Sequence, residues 1–363
     1  MIYKMTAREV IITNSSSKGS QIKFYKDGYW YKLNESGRED LSEYIVSKLL
    51  ECSSLPNSEY VKYELCDVEY KNKIYKACRS KSFLKEGETY ISFEKFYKMM
   101  KGGNLTEDII IRSDPKERIK YVVDFFKETI NLDISTYISN TLSLDMLTLN
   151  PDRHLNNLGI IVNPEKDEYR CAPIFDNGAA LLSNTTQFPM FEELSDLIKN
   201  VYGKPFSANL EYQAASAGIT IRLDFKMVEE MLKTLAEPKS RAVEILKNQI
   251  QKYEKILAYS KPPYIIQCNT LLEKIREEQR KAKQKQLSIL GGEKILSLNE
   301  RLKIATDIQK NSDKSSQIAK QIVKILEKNK ATKDEMNQFL KFIKEEGVLF
   351  SMSPDSQGTY SDR

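Results

Sequence analysis

Short runs rich in β-branched and aromatic residues open the chain, at Val10 to Thr13, Gln21 to Tyr25 and Tyr29 to Leu33, separated by Ser/Gly-rich residues and an Asp27-Gly28 pair. Runs of that kind predict strands, and the Asp-Gly pair predicts a hairpin. The spacing then changes to three and four at Leu41, Tyr44, Ile45, Lys48 and Leu49, which predicts a helix over about 39–52. Strands resume around 60–65 and 74–79, giving a small sheet with one helix inserted after its third strand. From about Lys85 the pattern turns helical. Its strongest segment runs from Pro115 to Ile130, with Ile119, Val122, Val123, Phe126 and Ile130 on one face. A helix over 134–147 runs into the Asn150-Pro151 break, and two short extended stretches follow, 158–162 and 169–175, joined by an Asn163-Pro164 turn. Further helices are expected near 226–235 and 240–258.

Beyond Pro262-Pro263 the pattern is that of separate helices, 271–287, 315–327 and 332–346, with a Gly291-Gly292 break after the first. The last opens on a capping box, Thr332 with Glu335, and stops at Gly347. The expected division is a β-rich lobe over 1–84, a mostly helical lobe over 85–260 and a helical extension over 261–363, an α+β bilobal architecture. A chain of 363 residues exceeds the usual single core, which agrees with such a division.

Composition narrows the class. With 40% hydrophobic and 29% charged residues the chain reads as soluble and globular rather than disordered or membrane-bound. No apolar run approaches the roughly 18 residues of a membrane span, and the start (Met1, Lys4, Arg8, Glu9) lacks the apolar core of a signal peptide, so a cytoplasmic location is expected. Five scattered cysteines, Cys52, Cys66, Cys78, Cys171 and Cys268, argue against a disulfide framework or a zinc knuckle. Of the 56 basic and 51 acidic residues, 20 and 14 fall in 261–363, so the net charge of +5 belongs to the extension. That excess would suit an acidic partner such as a nucleic acid, although interspersed charges on helices are ordinarily a solvated face.

The segment Asn150-Pro151-Asp152-Arg153-His154-Leu155-Asn156-Asn157, followed nineteen residues past its end by Asp176-Asn177-Gly178, is the main chemical signal. The two acidic groups and the amide lie on loops at either end of a short hairpin, which folds its ends together and lets Asp152, Asn157 and Asp176 point into one space. Phosphoryl transfer needs that set: oxygen ligands for magnesium and a carboxylate that orients the attacking hydroxyl. Taken singly, Asn150-Pro151-Asp152 and Asn177-Gly178 are ordinary turns; in register they are a joint signal. His154 is the sole histidine, which excludes a multi-histidine metal site, and it is expected to support the loop through ring hydrogen bonds. A hydrolase would want a Gly-x-Ser-x-Gly elbow, which does not occur. Upstream, the small residues around Ser16, Ser17, Lys18 and Gly19 suit a phosphate-binding loop, and Lys32 in a strand with Glu43 on the next helix suits the pairing that positions α and β phosphates. An ordinary surface lysine and glutamate are the alternative for that pair.

These residues resemble the HipA-like serine/threonine kinases, relatives of the phosphatidylinositol kinases in the protein-kinase-like superfamily. The likeness covers roughly 10–260 and rests on Ser16-Ser17-Lys18-Gly19-Ser20-Gln21-Ile22-Lys23, Tyr31-Lys32, Leu41-Ser42-Glu43-Tyr44, Asp152-Arg153-His154-x-x-Asn157 and Phe175-Asp176-Asn177-Gly178. The resemblance implies a protein-kinase-like fold that uses ATP and Mg2+, with Asp152 as catalytic base and Asn157 and Asp176 as magnesium ligands. It assigns nucleotide contacts to Ser16, Ser17, Lys18, Gly19, Lys23, Lys32, Glu43 and Phe83, and makes Ser16 the candidate for autophosphorylation. It further implies a protein substrate, a toxin or growth-regulator role, and a small antitoxin or regulatory partner. Asn177 replaces the phenylalanine usual after the metal aspartate, which removes an apolar regulatory plug. Lys204-Pro205-Phe206-Ser207 resembles another recurring stretch of these kinases, without a role that the residues define. A lipid or small-molecule kinase and a partner-binding module on a kinase fold are the competing readings.

Overall fold

The computed structural model describes residues 2–11, 21–259, 263–290, 298–331 and 333–348, which divide into two compact units, Met1–Ser260 and Lys261–Arg363. The first unit has the mixed α+β architecture expected from the pattern, a β-rich part followed by a mostly helical one. Strands β1 (Ile2–Lys4), β2 (Val10–Ile11), β3 (Lys23–Lys26) and β4 (Tyr29–Leu33) precede helix α1 (Glu39–Glu51), and β5 (Tyr63–Tyr70) and β6 (Lys73–Lys81) complete a sheet of order β1-β5-β6-β4-β3-β2. Within this sheet β1 and β5 pair in parallel and the other described pairs are antiparallel. Asp27 and Gly28 have φ of 52° and 79°, the two positive values of a type I′ hairpin, and this turn places Lys23 opposite Lys32. The β5–β6 hairpin is longer than 60–65 and 74–79 predict. Its turn, Lys71-Asn72, also has two positive φ values but contains no glycine to signal it.

Period two along β4 sends Tyr31 and Leu33 to one face, against Phe24, Cys66 and Val68, and Lys32 to the other, beside Cys78. Helix α1 covers that second side and buries Leu41, Ile45, Val46, Leu49 and Leu50. Each such side chain contributes about 1.5–3 kcal/mol, whereas Arg38 at its N-terminus makes no side-chain cap. Burial therefore fixes α1, and with it Glu43.

The pattern from Lys85 predicts helix at once, but Thr89–Ser92 form strand β7, followed by α2 (Phe93–Lys101), α3 (Leu105–Ile110), α4 (Pro115–Ile130) and α5 (Ser135–Thr148). Strand β7 exists because β8 (Gly159–Asn163) pairs with it, Ile91 opposite Ile160, in a three-stranded sheet completed by β9 (Glu168–Cys171). A Cβ on Gly159 would lie 2.4 Å from the Tyr90 ring and 2.7 Å from Ile91 O, so this approach requires glycine. Helix α4 has the bounds that its periodicity predicts: Asp114 accepts from Lys116 N at its start, Pro115 occupies the first turn, and Asn131 ends it with φ of 53°. Strand β9 stops short of the expected 175. Pro173 has no N–H to continue a ladder, and Ile174 pairs instead with Tyr60, its N–H donating to Glu59 O at 2.7 Å.

The remaining elements are α6 (Leu194–Lys199), α7 (Leu210–Ala217), β10 (Leu223–Asp224), α8 (Phe225–Thr234), α9 (Arg241–Leu257) and β11 (Ala258–Tyr259). The first two have no counterpart in the sequence pattern. The second unit contains α10 (Pro263–Leu290), α11 (Leu298–Lys328) and α12 (Lys333–Glu345), around a core that includes Leu272, Ile275, Ile322, Leu326, Phe339 and Ile343. Helices α10 and α11 are longer than expected, and Thr332 of the expected capping box lies outside the described residues. Among the described residues no helix is long and apolar enough to cross a membrane.

Candidate active site

Lys32 and Glu43 meet as α1 settles on the sheet: Lys32 Nζ lies 2.6 Å from Glu43 Oε1 and 2.7 Å from Asp176 Oδ1, with Lys32 only 8% exposed and Glu43 1%. The surface alternative for this pair is thereby excluded. The other Glu43 oxygen, Oε2, accepts from Asn177 N at 2.9 Å, so one helix glutamate fixes both the lysine and the backbone beside Asp176. Asp176 itself has φ of 61°, a left-handed conformation that aspartate tolerates better than most residues.

The loop of Asp152 is joined to that of Asp176 by the intervening Arg153. Its Nη1 donates to Phe175 O at 2.6 Å and its Nη2 to Asn177 Oδ1 at 2.6 Å, so the residues on both sides of Asp176 are tied to the residue next to Asp152. Arg153 in turn is paired with Asp145 of α5, Nε to Oδ2 at 3.0 Å, both side chains being fully buried. Asn150 Nδ2 donates to the same carboxylate at 3.0 Å, and its Oδ1 accepts from Asp152 N at 3.1 Å. Asn157 Nδ2 donates to Asp152 O at 3.2 Å. Sequence reasoning missed Asp145, yet a signal exists: it is the single charged residue between 134 and 151. Asn177, at the position of the expected apolar plug, instead makes a buried polar tie: its N–H donates to Glu43 and its Oδ1 accepts from Arg153.

Lys23 stands across the hairpin from Lys32. Phe83 packs on Phe175 at a ring separation of 5.6 Å, and Tyr90 closes on the same ring at 5.4 Å, so Phe83 lies against the residue preceding Asp176. His154 departs from expectation: Nδ1 is buried without a partner among the described residues, and the loop is held by its backbone carbonyl, which accepts from Asn157 N at 2.8 Å. Lys204, in the loop after α6, pairs with Asp152 at 3.1 Å. Ser16, Ser17, Lys18 and Gly19 lie outside the described residues.

Burial works against ionising Asp176, but Lys32 and then Lys23 outweigh it and hold the carboxyl well below its usual range. Burial also opposes the charge on Lys32, and Asp176 and Glu43 raise its pKa well above the usual lysine value. A lowered carboxyl stabilises the fold fully above its unfolded value, near about 3.9, and loses that contribution as pH falls through the folded value. The contribution of Lys32 is full below about 10.4 and is lost only as pH climbs through its raised folded value. The stability difference between the wild-type chain and Asp176→Asn, measured by urea unfolding, is therefore expected to be constant near neutral pH and to narrow below about pH 4. A difference that persists unchanged in strong acid would remove the ion pair as its cause.

The donor set suits magnesium, which prefers oxygen ligands with water and phosphate completing the shell. Asp176 Oδ2 and Asn157 Oδ1 accept no hydrogen bond from a described residue and remain available.

No protein-family model and no curated protein matches the chain. Among solved structures it is similar to the crystal structure of a Helicobacter pylori proinflammatory kinase, CtkA, with a TM-score of 0.46 and 16% identity, covering 71% of this chain and 95% of that one.

Proposed function

We propose that this chain is an ATP- and magnesium-dependent phosphotransferase whose acceptor is a serine or threonine hydroxyl of a protein. One observation carries the reading: Arg153 ties the loop of Asp152 to both neighbours of Asp176, while Asp176 pairs with a buried lysine that is itself braced by a helix glutamate. A carboxylate for the acceptor, a carboxylate for a metal and a lysine–glutamate pair are the protein's parts in phosphoryl transfer, here assembled from three separate stretches of chain.

In this reading Lys32 neutralises phosphate oxygens of the nucleotide, and Glu43 keeps its ammonium aimed from the sheet. Asp152 orients the acceptor hydroxyl and receives its proton. Asp176 and Asn157 would hold the divalent ion. When bound, that ion supplies positive charge against the phosphate oxygens, which is the main electrostatic requirement of the transfer. The protein acceptor follows from the resemblance to HipA-like kinases; the same Asp-Arg-His-x-x-Asn pattern occurs in phosphatidylinositol kinases, so the test must include lipid.

The test is incubation of the full chain with γ-labelled ATP and Mg2+, in parallel with a cell protein mixture and with phosphatidylinositol-containing vesicles. Label is expected in protein, and is expected to disappear with Asp176→Ala or with chelation of the metal. Label confined to the vesicles would change the acceptor class. No transfer and no ATP binding would sink the reading. Mass spectrometry of the same reaction names the acceptor residues, with Ser16 the candidate on this chain.

A further inference from the structure

Lys204 is the one cation among the described residues that pairs with Asp152, and the phosphotransferase reading above gives it no part. Its loop is firmly built. Gly203 N donates to Ala208 O at 2.7 Å, closing 203–208 on itself. The buried Gln213 of α7 grips the loop with both ends of its amide, Nε2 donating to Lys204 O at 3.1 Å and Oε1 accepting from Ser207 N at 3.3 Å. Arg118 donates to Phe206 O at 2.8 Å, and the Phe206 ring is buried in the main core. A Cβ on Gly203 would lie 2.9 Å from a Leu210 methyl and 3.0 Å from Ser207 O, so the loop packs here with no room for a side chain.

The backbone of Lys204 is thus fixed while its side chain is 56% exposed, opposite an Asp152 side chain that is 52% exposed. An exposed ion pair contributes about 0–1 kcal/mol, so the pair itself does little for the fold. Its position is more informative. The carboxylate that receives the acceptor proton has to stand beside the phosphorus under attack, and a cation 3.1 Å from that carboxylate stands there too. The ammonium has three donors, and Asp152 takes one.

We propose that Lys204 is a catalytic residue, its ammonium bridging Asp152 and the oxygens of the phosphoryl group in transit; this rests on the phosphotransferase reading. In the step, the acceptor oxygen bonds to the γ-phosphorus as that phosphorus parts from the oxygen leading to the β-phosphate. The bonding pair leaves with the nucleoside diphosphate, and the hydroxyl proton passes to Asp152. Lys204 keeps its proton and offsets negative charge on the non-bridging oxygens, where a preorganised donor acts most strongly in the transition state. Gln213 is a positioning residue that acts through the loop.

The test uses the full chain with γ-labelled ATP and Mg2+, the chain itself and dephosphorylated casein serving as acceptors, for wild type, Lys204→Met and Lys204→Arg. Lys204→Met is expected to lower kcat by about 10²–10³-fold, with KM for ATP and the thermal midpoint unchanged, and Lys204→Arg to restore part of the loss. Wild-type turnover in Lys204→Met overturns the assignment and leaves the phosphotransferase reading standing. A raised kcat also overturns it, since Lys204 would then be a latch over Asp152, as does a rise in KM with kcat intact. A wild-type chain that neither binds ATP nor moves phosphate overturns both.

Discussion

Asp152→Asn is expected to lower phosphotransfer by about 10²–10⁴-fold, the usual contribution of a positioned acid or base, while nucleotide affinity stays at the wild-type level. The loop around Asp152 is shaped by its backbone: its N–H donates to Asn150 Oδ1 and its carbonyl accepts from Asn157 Nδ2. Neither contact involves the carboxylate, and asparagine is nearly the same size. The variant therefore keeps the loop, the Lys32–Glu43–Asp176 cluster and the proposed metal donors Asn157 and Asp176. It loses the oxygen proposed to take the proton, together with an exposed ion pair to Lys204 that contributes little to stability. Steady-state transfer from labelled ATP, alongside calorimetric titration with ATP and Mg2+, separates the two effects. Unchanged turnover would refute the role of Asp152.

The second large effect concerns stability. Arg153→Met is expected to destabilise the first unit by about 3–5 kcal/mol, because it strands the Asp145 carboxylate in the interior. Both side chains are 0% exposed, and Arg153 spends its other donors on Phe175 O and Asn177 Oδ1. Burial already pushes the Asp145 carboxyl above its usual range, with Arg153 opposing the rise. Without the arginine that carboxyl must bind a proton on folding. A raised folded pKa costs stability above the unfolded value, so the loss is expected to grow from acid toward neutral pH.

Arg153→Met combined with Asp145→Leu removes both charges and is expected to recover most of the lost stability, since apolar replacement of a buried pair is often tolerated. Phosphotransfer is expected to stay low in that double variant. Phe175 O and Asn177 have lost their donor, and among the described residues nothing else ties the Asp152 loop to both sides of Asp176. Urea midpoints and labelled-ATP assays on the same preparations read the two outcomes. A single variant as stable as wild type would show that the pair carries no such burden.

Residue type and spacing made much of the candidate site's arrangement legible. Asp152, Asn157 and Asp176 are visible in the chain because a short hairpin must bring its ends together, and β8 and β9 supply that hairpin. Lys32 and Glu43 are legible only as a strand lysine followed by a helix glutamate, a pattern equally suited to the surface; burial decides between the two. Asp145 showed in the sequence only as a lone charge in an apolar stretch, and nothing in the pattern placed Lys204 beside Asp152. The first sits eight positions from its partner in an apolar helix, and the second is 52 positions from Asp152 in a loop with no periodicity.

The sequence by itself determined the elements whose stabilisation is local: the Asp27-Gly28 hairpin, α4 between its aspartate cap and Asn131, and the turn at Asn163-Pro164. Only the tertiary structure decided β7, which is a strand because β8 lies beside it, and the contact of Lys32 with Asp176 across 144 positions. Turns and caps are settled by the conformational preferences of adjacent residues. Long-range pairings are settled by which buried surfaces and charges find each other once the chain has closed, and no short window of sequence holds that information.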